Sequence, residues 1–141
     1  MKQFSLWLIG LFAFTVISSS AHAQQVYGEL KVVKGDVNIK SGRDSKVTKA
    51  AIGLRVFPTD TIVTGKDSRA KILMVDKNEI NISPDSEIVL QKYVYDPANG
   101  KKEVLLNVLS GKVRAKVEQK YDGKAATFHV KTPSAVAGVR G

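Results

Sequence analysis

Arg69-Ala-Lys-Ile-Leu-Met-Val75, then Asp76-Lys-Asn78, then Glu79-Ile-Asn-Ile82, then Ser83-Pro-Asp85: this stretch decides the fold class. Ala70, Ile72 and Met74 recur at every second position, as do Ile80 and Ile82, which is the period of an extended strand with one face buried. The intervening Asp-Lys-Asn and Ser-Pro-Asp are turn chemistry, because short polar side chains bond to nearby backbone and proline withholds a ladder donor. Outward from there the pattern repeats. Val26, Gly28, Leu30 and Val32 share one parity and Tyr27, Glu29, Lys31 and Val33 the other, and Gly35-Asp36 separates them from Val37-Asn-Ile-Lys40. A turn at Ser41-Gly-Arg-Asp-Ser45 follows, and Thr61-Ile-Val-Thr64 ends at Gly65-Lys-Asp67. On the other side, Glu87-Ile-Val-Leu-Gln-Lys-Tyr-Val-Tyr95 meets Asp96-Pro-Ala-Asn-Gly100. Glu103-Val-Leu-Leu-Asn-Val-Leu109 stops at Ser110-Gly111, Lys112-Val-Arg-Ala-Lys-Val117 alternates, and Ala125-Ala-Thr-Phe-His-Val130 precedes Thr132-Pro133. No window carries helical three-to-four spacing over a dozen residues, and short helical turns are expected only at 48–54 and 134–137. The reading is an all-β, two-layer domain of many short strands, for which a sandwich-like roll and a short β-solenoid are equivalent at this level.

The N-terminus is different in kind. Phe4 to Ile17 is an uncharged, mostly apolar run behind Met1-Lys2-Gln3. As a helix it would reach about 21 Å at roughly 1.5 Å per residue, short of a roughly 30 Å hydrocarbon core. Ser18-Ser-Ser20 and Ala21-His-Ala23 follow, the small-x-small arrangement that a signal peptidase accepts. The expectation is a signal peptide over 1–23, cleavage between Ala23 and Gln24, and one domain over 24–141. Removing the leader takes one cation, Lys2, from a chain of formal net charge +9.

With no cysteine there are no disulfides, no thiolate chemistry and no lipid attachment through a cysteine. The lysines fall singly or in pairs (Lys31, Lys34, Lys40, Lys46, Lys49, Lys101-Lys102, Lys112, Lys116), which reads as a solvated surface protecting strand edges more than as a binding cluster. Nucleic acid is not an expected partner, since Tyr27, Phe57, Tyr93, Tyr95, Tyr121 and Phe128 do not interleave with a basic cluster. Past the leader there is one histidine, His129, whose place between Phe128 and Val130 points it outward from a strand. Asp36, Asp60, Asp67, Asp76, Asp85 and Asp96 lie in or beside turns, where bonding to local backbone accounts for them. The loop Asp76-Lys-Asn-Glu79 lacks the regular calcium pattern, and Gly28 and Gly35 form no phosphate loop. No catalytic residue, metal or cofactor is expected.

Several phrases, read in order, resemble the FecR domain: Gly35-Asp-Val-Asn-Ile39; Asp60-Thr-Ile-Val-Thr-Gly65 leading into Asp67-Ser-Arg-Ala-Lys-Ile-Leu73; Ile80-Asn-Ile-Ser-Pro84; Val108-Leu-Ser-Gly-Lys-Val113; and Phe128-His-Val-Lys-Thr-Pro-Ser-Ala-Val-Ala-Gly-Val-Arg-Gly141. The last is the most specific. The resemblance implies a periplasmic, non-enzymatic, all-β recognition or signalling module that binds an envelope protein or ligand; a cell-wall or surface glycan is the alternative partner, suggested by the cation excess and by Tyr93 and Tyr95 taken as exposed. Ahead of the apolar run stand too few residues for the anti-sigma segment of the signalling members. Family members usually continue beyond Val-Arg-Gly, so the natural chain is expected to extend past Gly141. The signature residues singled out are Thr132, Pro133, Gly138, Val139, Arg140 and Gly141. Pro133 ends a strand, the glycines permit unusual backbone, and the Arg140 fork suits carbonyls or a carboxylate, with bracing of the closing turn preferred to ligand contact.

Overall fold

The computed structural model describes residues 25–122 and 125–139, so the leader expected over 1–23 and its cleavage site at Ala23 and Gln24 lie outside the described residues. The strands are β1 (Gly28–Lys34), β2 (Val37–Lys40), β3 (Val47–Lys49), β4 (Arg55–Val56), β5 (Thr61–Thr64), β6 (Arg69–Met74), β7 (Glu79–Ile82), β8 (Ser86–Asp96), β9 (Lys101–Ser110), β10 (Val113–Lys116), β11 (Ala126–Lys131) and β12 (Val136–Val139). A single 3-10 turn, Pro97–Asn99, joins β8 to β9.

They form two sheets, a five-stranded one in the order β10-β7-β6-β1-β4 and a seven-stranded one in the order β12-β11-β9-β8-β5-β2-β3. All pairings are antiparallel except β9 with β11, which run parallel. The sheets form a sandwich rather than a solenoid, their inner faces meeting in one cluster that includes Leu30, Val56, Ile72, Ile80 and Ile82 from the first and Val37, Ile62, Ile88, Leu90 and Leu106 from the second. Alternation places each of these inward, and burying an aliphatic side chain of this size contributes about 1.5–3 kcal/mol.

The chain passes repeatedly from one sheet to the other, and two of the crossings are closed in the same way. At Gly35, φ is 77° and an added Cβ would stand 2.4 Å from Ser68 Oγ; the next amide, Asp36 N–H, donates to that oxygen at 2.8 Å. At Gly111, φ is 81° and a Cβ would stand 2.1 Å from Ser86 Oγ, while Lys112 N–H donates to it at 2.9 Å. Glycine is required at both places for its left-handed backbone and for the close approach of a buried serine. The phrases Val-Lys-Gly-Asp-Val and Leu-Ser-Gly-Lys-Val are thus two copies of one corner.

Two bulges reset the parity that simple alternation assigns. The β1–β6 register shifts between Leu30 and Val32, so Leu30 and Val33 point inward and Val32 outward. The β8–β9 register shifts between Leu90 and Lys92, which turns both Leu90 and Tyr93 inward. An inserted residue lets two inward positions stand three apart instead of two. The expectation that Tyr93 is exposed is therefore wrong, because the bulge at Gln91 carries its ring into the core. The helical turns expected at 48–54 and 134–137 do not form either. Residues 47–49 are strand followed by a turn, and Val136–Val139 is strand β12. Ala50 N–H donates to Val37 O, extending the sheet contact past β3, and β11 supplies a ladder for β12; neither partner is visible in local spacing.

Candidate functional site

The signature phrase folds as the hairpin β11–β12. Its turn is held by Thr132 N–H donating to Ala135 O at 2.7 Å and by Ala135 N–H donating to Thr132 Oγ1 at 3.0 Å, with Pro133 at the corner between them. Thr132 and Pro133 are thus placed in a closed turn. Gly138 pairs with His129, whose ring carbon Cδ2 lies 3.2 Å from where a Cβ would be, so the bare glycine leaves room for the imidazole. Val139 pairs with Phe128 at the sheet margin and is exposed. Arg140 and Gly141 lie outside the described residues. His129 is exposed, as its strand position predicts.

The densest polar constellation is elsewhere and is buried. Asp76 and Asn78 flank the tight turn between β6 and β7, Tyr93 enters from β8 across the bulge, and Tyr121 comes from the segment between β10 and β11. Asp76 Oδ1 accepts from Tyr93 OH at 2.5 Å and from Asn78 N–H at 3.1 Å. Its Oδ2 accepts from Asn78 Nδ2 at 2.8 Å and from Tyr121 OH at 3.1 Å. Asn78 Oδ1 in turn accepts from Glu118 N–H at 2.8 Å, and Gln119 Nε2 donates to Asp76 O at 2.9 Å. Burial, then the neighbouring Asp76 carboxylate, drive the Tyr93 phenol far above its ordinary range. Burial likewise raises Tyr121, with Asp76 again adding to it. Tyr121 packs edge-on against Phe128 at 5.4 Å between ring centroids, tying the cluster to the signature hairpin.

Every oxygen of Asp76 is occupied, and the four side chains are almost wholly shielded. The arrangement is a lock between the two sheets: it neither exposes a nucleophile nor offers an open ligand position. Sequence reasoning placed Asp76 in a turn but missed its partners, which lie 17 and 45 residues away in the chain. Two other carboxylates, Asp60 and Asp96, cap backbone N–H groups. Asp60 accepts from Phe57 N–H at 2.9 Å and from Gly42 N–H at 3.2 Å. Asp96 is held below the usual carboxylate range by the side-chain and backbone N–H groups of Asn99. Among the described residues there is no group of three or more potential metal ligands, and no helix long and apolar enough to cross a membrane.

A protein-family model described as FecR protein matches residues 60–141, more than half of the chain. This chain belongs to the FecR family. The match takes in the Asp76 cluster, the Gly111 corner and the signature hairpin. No curated protein matches the chain. Among solved structures, one titled "Cell surface anchoring domain" is similar at 24% identity and a TM-score of 0.43, covering 45% of this chain and 82% of that one.

Proposed function

We propose that this FecR-family chain is exported through its apolar leader, loses residues 1–23 after Ala23, and works in the periplasm as a non-catalytic recognition or signalling module that binds an envelope protein. The family match over 60–141 carries the reading. Two further observations support it. The run Phe4 to Ile17 ends in a processing signature, and the titratable groups drawn together in the interior, Asp76 with Tyr93 and Tyr121, are mutually satisfied and closed to substrate.

The glycan alternative draws on the cation excess, on the β architecture and on Tyr93 and Tyr95 as exposed rings. Tyr93 is fully buried and packs on Tyr27 at 5.7 Å, which removes half of that platform. The test is expression of the full chain in a Gram-negative host, fractionation, N-terminal sequencing, and in-cell crosslinking from residues of the sandwich surface. The reading expects a periplasmic product beginning at Gln24 and a discrete crosslinked envelope protein. A cytosolic product with an intact leader would overturn it.

A further inference from the structure

Alternation along β10, β7, β6 and β1 assembles on the outward face of the five-stranded sheet a set of cations that lie far apart in sequence. Arg114 stands opposite Asn81, Asn81 opposite Lys71, and Lys71 opposite Val32, one row across four strands. In the adjoining row Arg69 stands directly opposite Lys34. Strands lie about 4.8 Å apart and same-face neighbours along a strand about 7 Å apart, so these side chains form a lattice at that spacing. Two cations directly opposite one another destabilise a sheet in water unless something anionic lies over them. The face has its own acids, Glu29, Glu79 and Glu118, but they are engaged by Lys31, Lys71 and Lys116 at 2.7, 3.2 and 2.6 Å. Asp36, beyond the end of β1, accepts from Asn38. Lys34, Arg69 and Arg114 make no ion pair among the described residues. Between the rows lies a depression of about 480 Å³ lined by Arg69, Lys71, Asn81, Ser83 and the apolar Val32 and Pro84. On the outward face of the seven-stranded sheet Val63 faces Glu87, Lys92 is paired with Glu103 at 2.8 Å, and Lys40 and Lys131 stand at opposite ends of one row, separated by Thr61, Val89 and Asn107.

We propose that this face of the five-stranded sheet docks on a membrane surface bearing phospholipid phosphates. The face fits phosphate by its chemistry. Arg69 and Arg114 offer planar forks that hold an oxyanion through two bonds, with the neutral donors Asn81 and Ser83 between them. It fits a surface of headgroups because its cations are spread over several strands and are not drawn into one closed pocket. Tyr27, Tyr93, Tyr121 and Phe128 are all in the core, so these rings give the face no platform on which sugars or bases could stack. Its exposed apolar atoms, at Val32, Leu73, Val75 and Pro84, lie between and beside the charges, whereas the core of a protein interface is depleted of charged residues. The docking deepens the envelope reading above and rests on it, because only an exported chain meets this surface in the periplasm.

Each cation near an anionic bilayer strengthens partitioning by about fivefold, so removing three weakens it roughly 100-fold. The test is co-sedimentation of the exported protein with phosphatidylcholine vesicles and with mixed phosphatidylcholine–phosphatidylglycerol vesicles, with circular dichroism as the folding control. The expected result is binding to the mixed vesicles only, lost in Lys34→Gln/Arg69→Gln/Arg114→Gln, retained in Lys40→Gln/Lys92→Gln/Lys131→Gln, and weakened by added salt as exposed charges are screened. Equal loss in both triple variants would overturn the proposal by showing a net-charge effect without a face. Failure to bind mixed vesicles would overturn it too, including the case in which poly-glutamate or free inorganic phosphate binds in the same Arg69-dependent way. None of these failures touches periplasmic location or the crosslinked partner, so the two readings fall separately.

Discussion

Replacing Asp76 by Asn tests the lock between the sheets with almost no change of volume. The carboxylate accepts four hydrogen bonds, from Asn78 N–H, Asn78 Nδ2, Tyr93 OH and Tyr121 OH. An amide in its place keeps one accepting oxygen and turns an NH2 group toward donors. Asn78 cannot flip to accommodate it, because its own oxygen is held by Glu118 N–H. Tyr121 can rotate its hydroxyl and accept instead, and Asn78 Nδ2 then has only the Tyr93 and Tyr121 hydroxyl oxygens, at 3.1 and 2.9 Å, in place of a charged acceptor, at about 1–3 kcal/mol, while the remaining bonds lose their charge assistance. The sum is a destabilisation of about 2–4 kcal/mol, a large share of the roughly 5–15 kcal/mol that holds a domain together. Asp76→Ala strands more donors and is expected to destabilise by about 3–5 kcal/mol. Urea unfolding of the purified protein, followed by tyrosine fluorescence and circular dichroism, measures both. Glu79→Gln, which breaks only the half-exposed pair with Lys71, serves as the reference and should stay within about 0.5 kcal/mol. If Asp76→Asn were as mild as Glu79→Gln, the buried acceptor pattern would not be what joins the sheets.

Alkaline titration followed by tyrosinate absorbance should show Tyr93 and Tyr121 remaining protonated at pH values where an ordinary phenol ionises. Their folded-state pKa values are raised, so the stability they contribute is whole below the unfolded value near pH 10 and is lost as pH climbs beyond it. Tyr93→Phe should remove one of the late-ionising groups, and an early, complete titration of all four tyrosines in the folded state would contradict the cluster. Gly111→Ala combines a left-handed backbone with a clash against Ser86 and should destabilise by more than about 2 kcal/mol, whereas Gly53→Ala, left-handed but in open space, should stay near 1 kcal/mol in the same urea assay. Leu90→Ala, beside the β8 bulge and fully buried, should lose about 2–5 kcal/mol by thermal melting, against under about 1 kcal/mol for the exposed Val63→Ala.

Much of the strand order was legible because side-chain period and turn chemistry are local. The runs at 37–40, 61–64 and 79–82 match β2, β5 and β7, and Gly35 and Gly111 stand at the corners where a strand had to end. The strands β3, β4 and β12 were missed, being two to four residues long and defined by a partner rather than by their own pattern. Tyr93 was misplaced for a related reason: strict alternation from Ile88 turns it outward, and only pairing with β9 reveals the extra residue at Gln91. The cation face was invisible because Lys34, Arg69, Lys71 and Arg114 look scattered when read along the chain.

From its residues alone the chain was determined to be an all-β domain with FecR phrases and an expected export leader, since alternation, turn chemistry and an apolar run depend only on neighbours a few positions away. The tertiary structure decided that two sheets stack as a sandwich, that Asp76 gathers Tyr93 and Tyr121 from distant strands, and that one outward face collects the cations. Those outcomes depend on strand pairing and register across gaps of tens of residues, where a single bulge moves a side chain from surface to core.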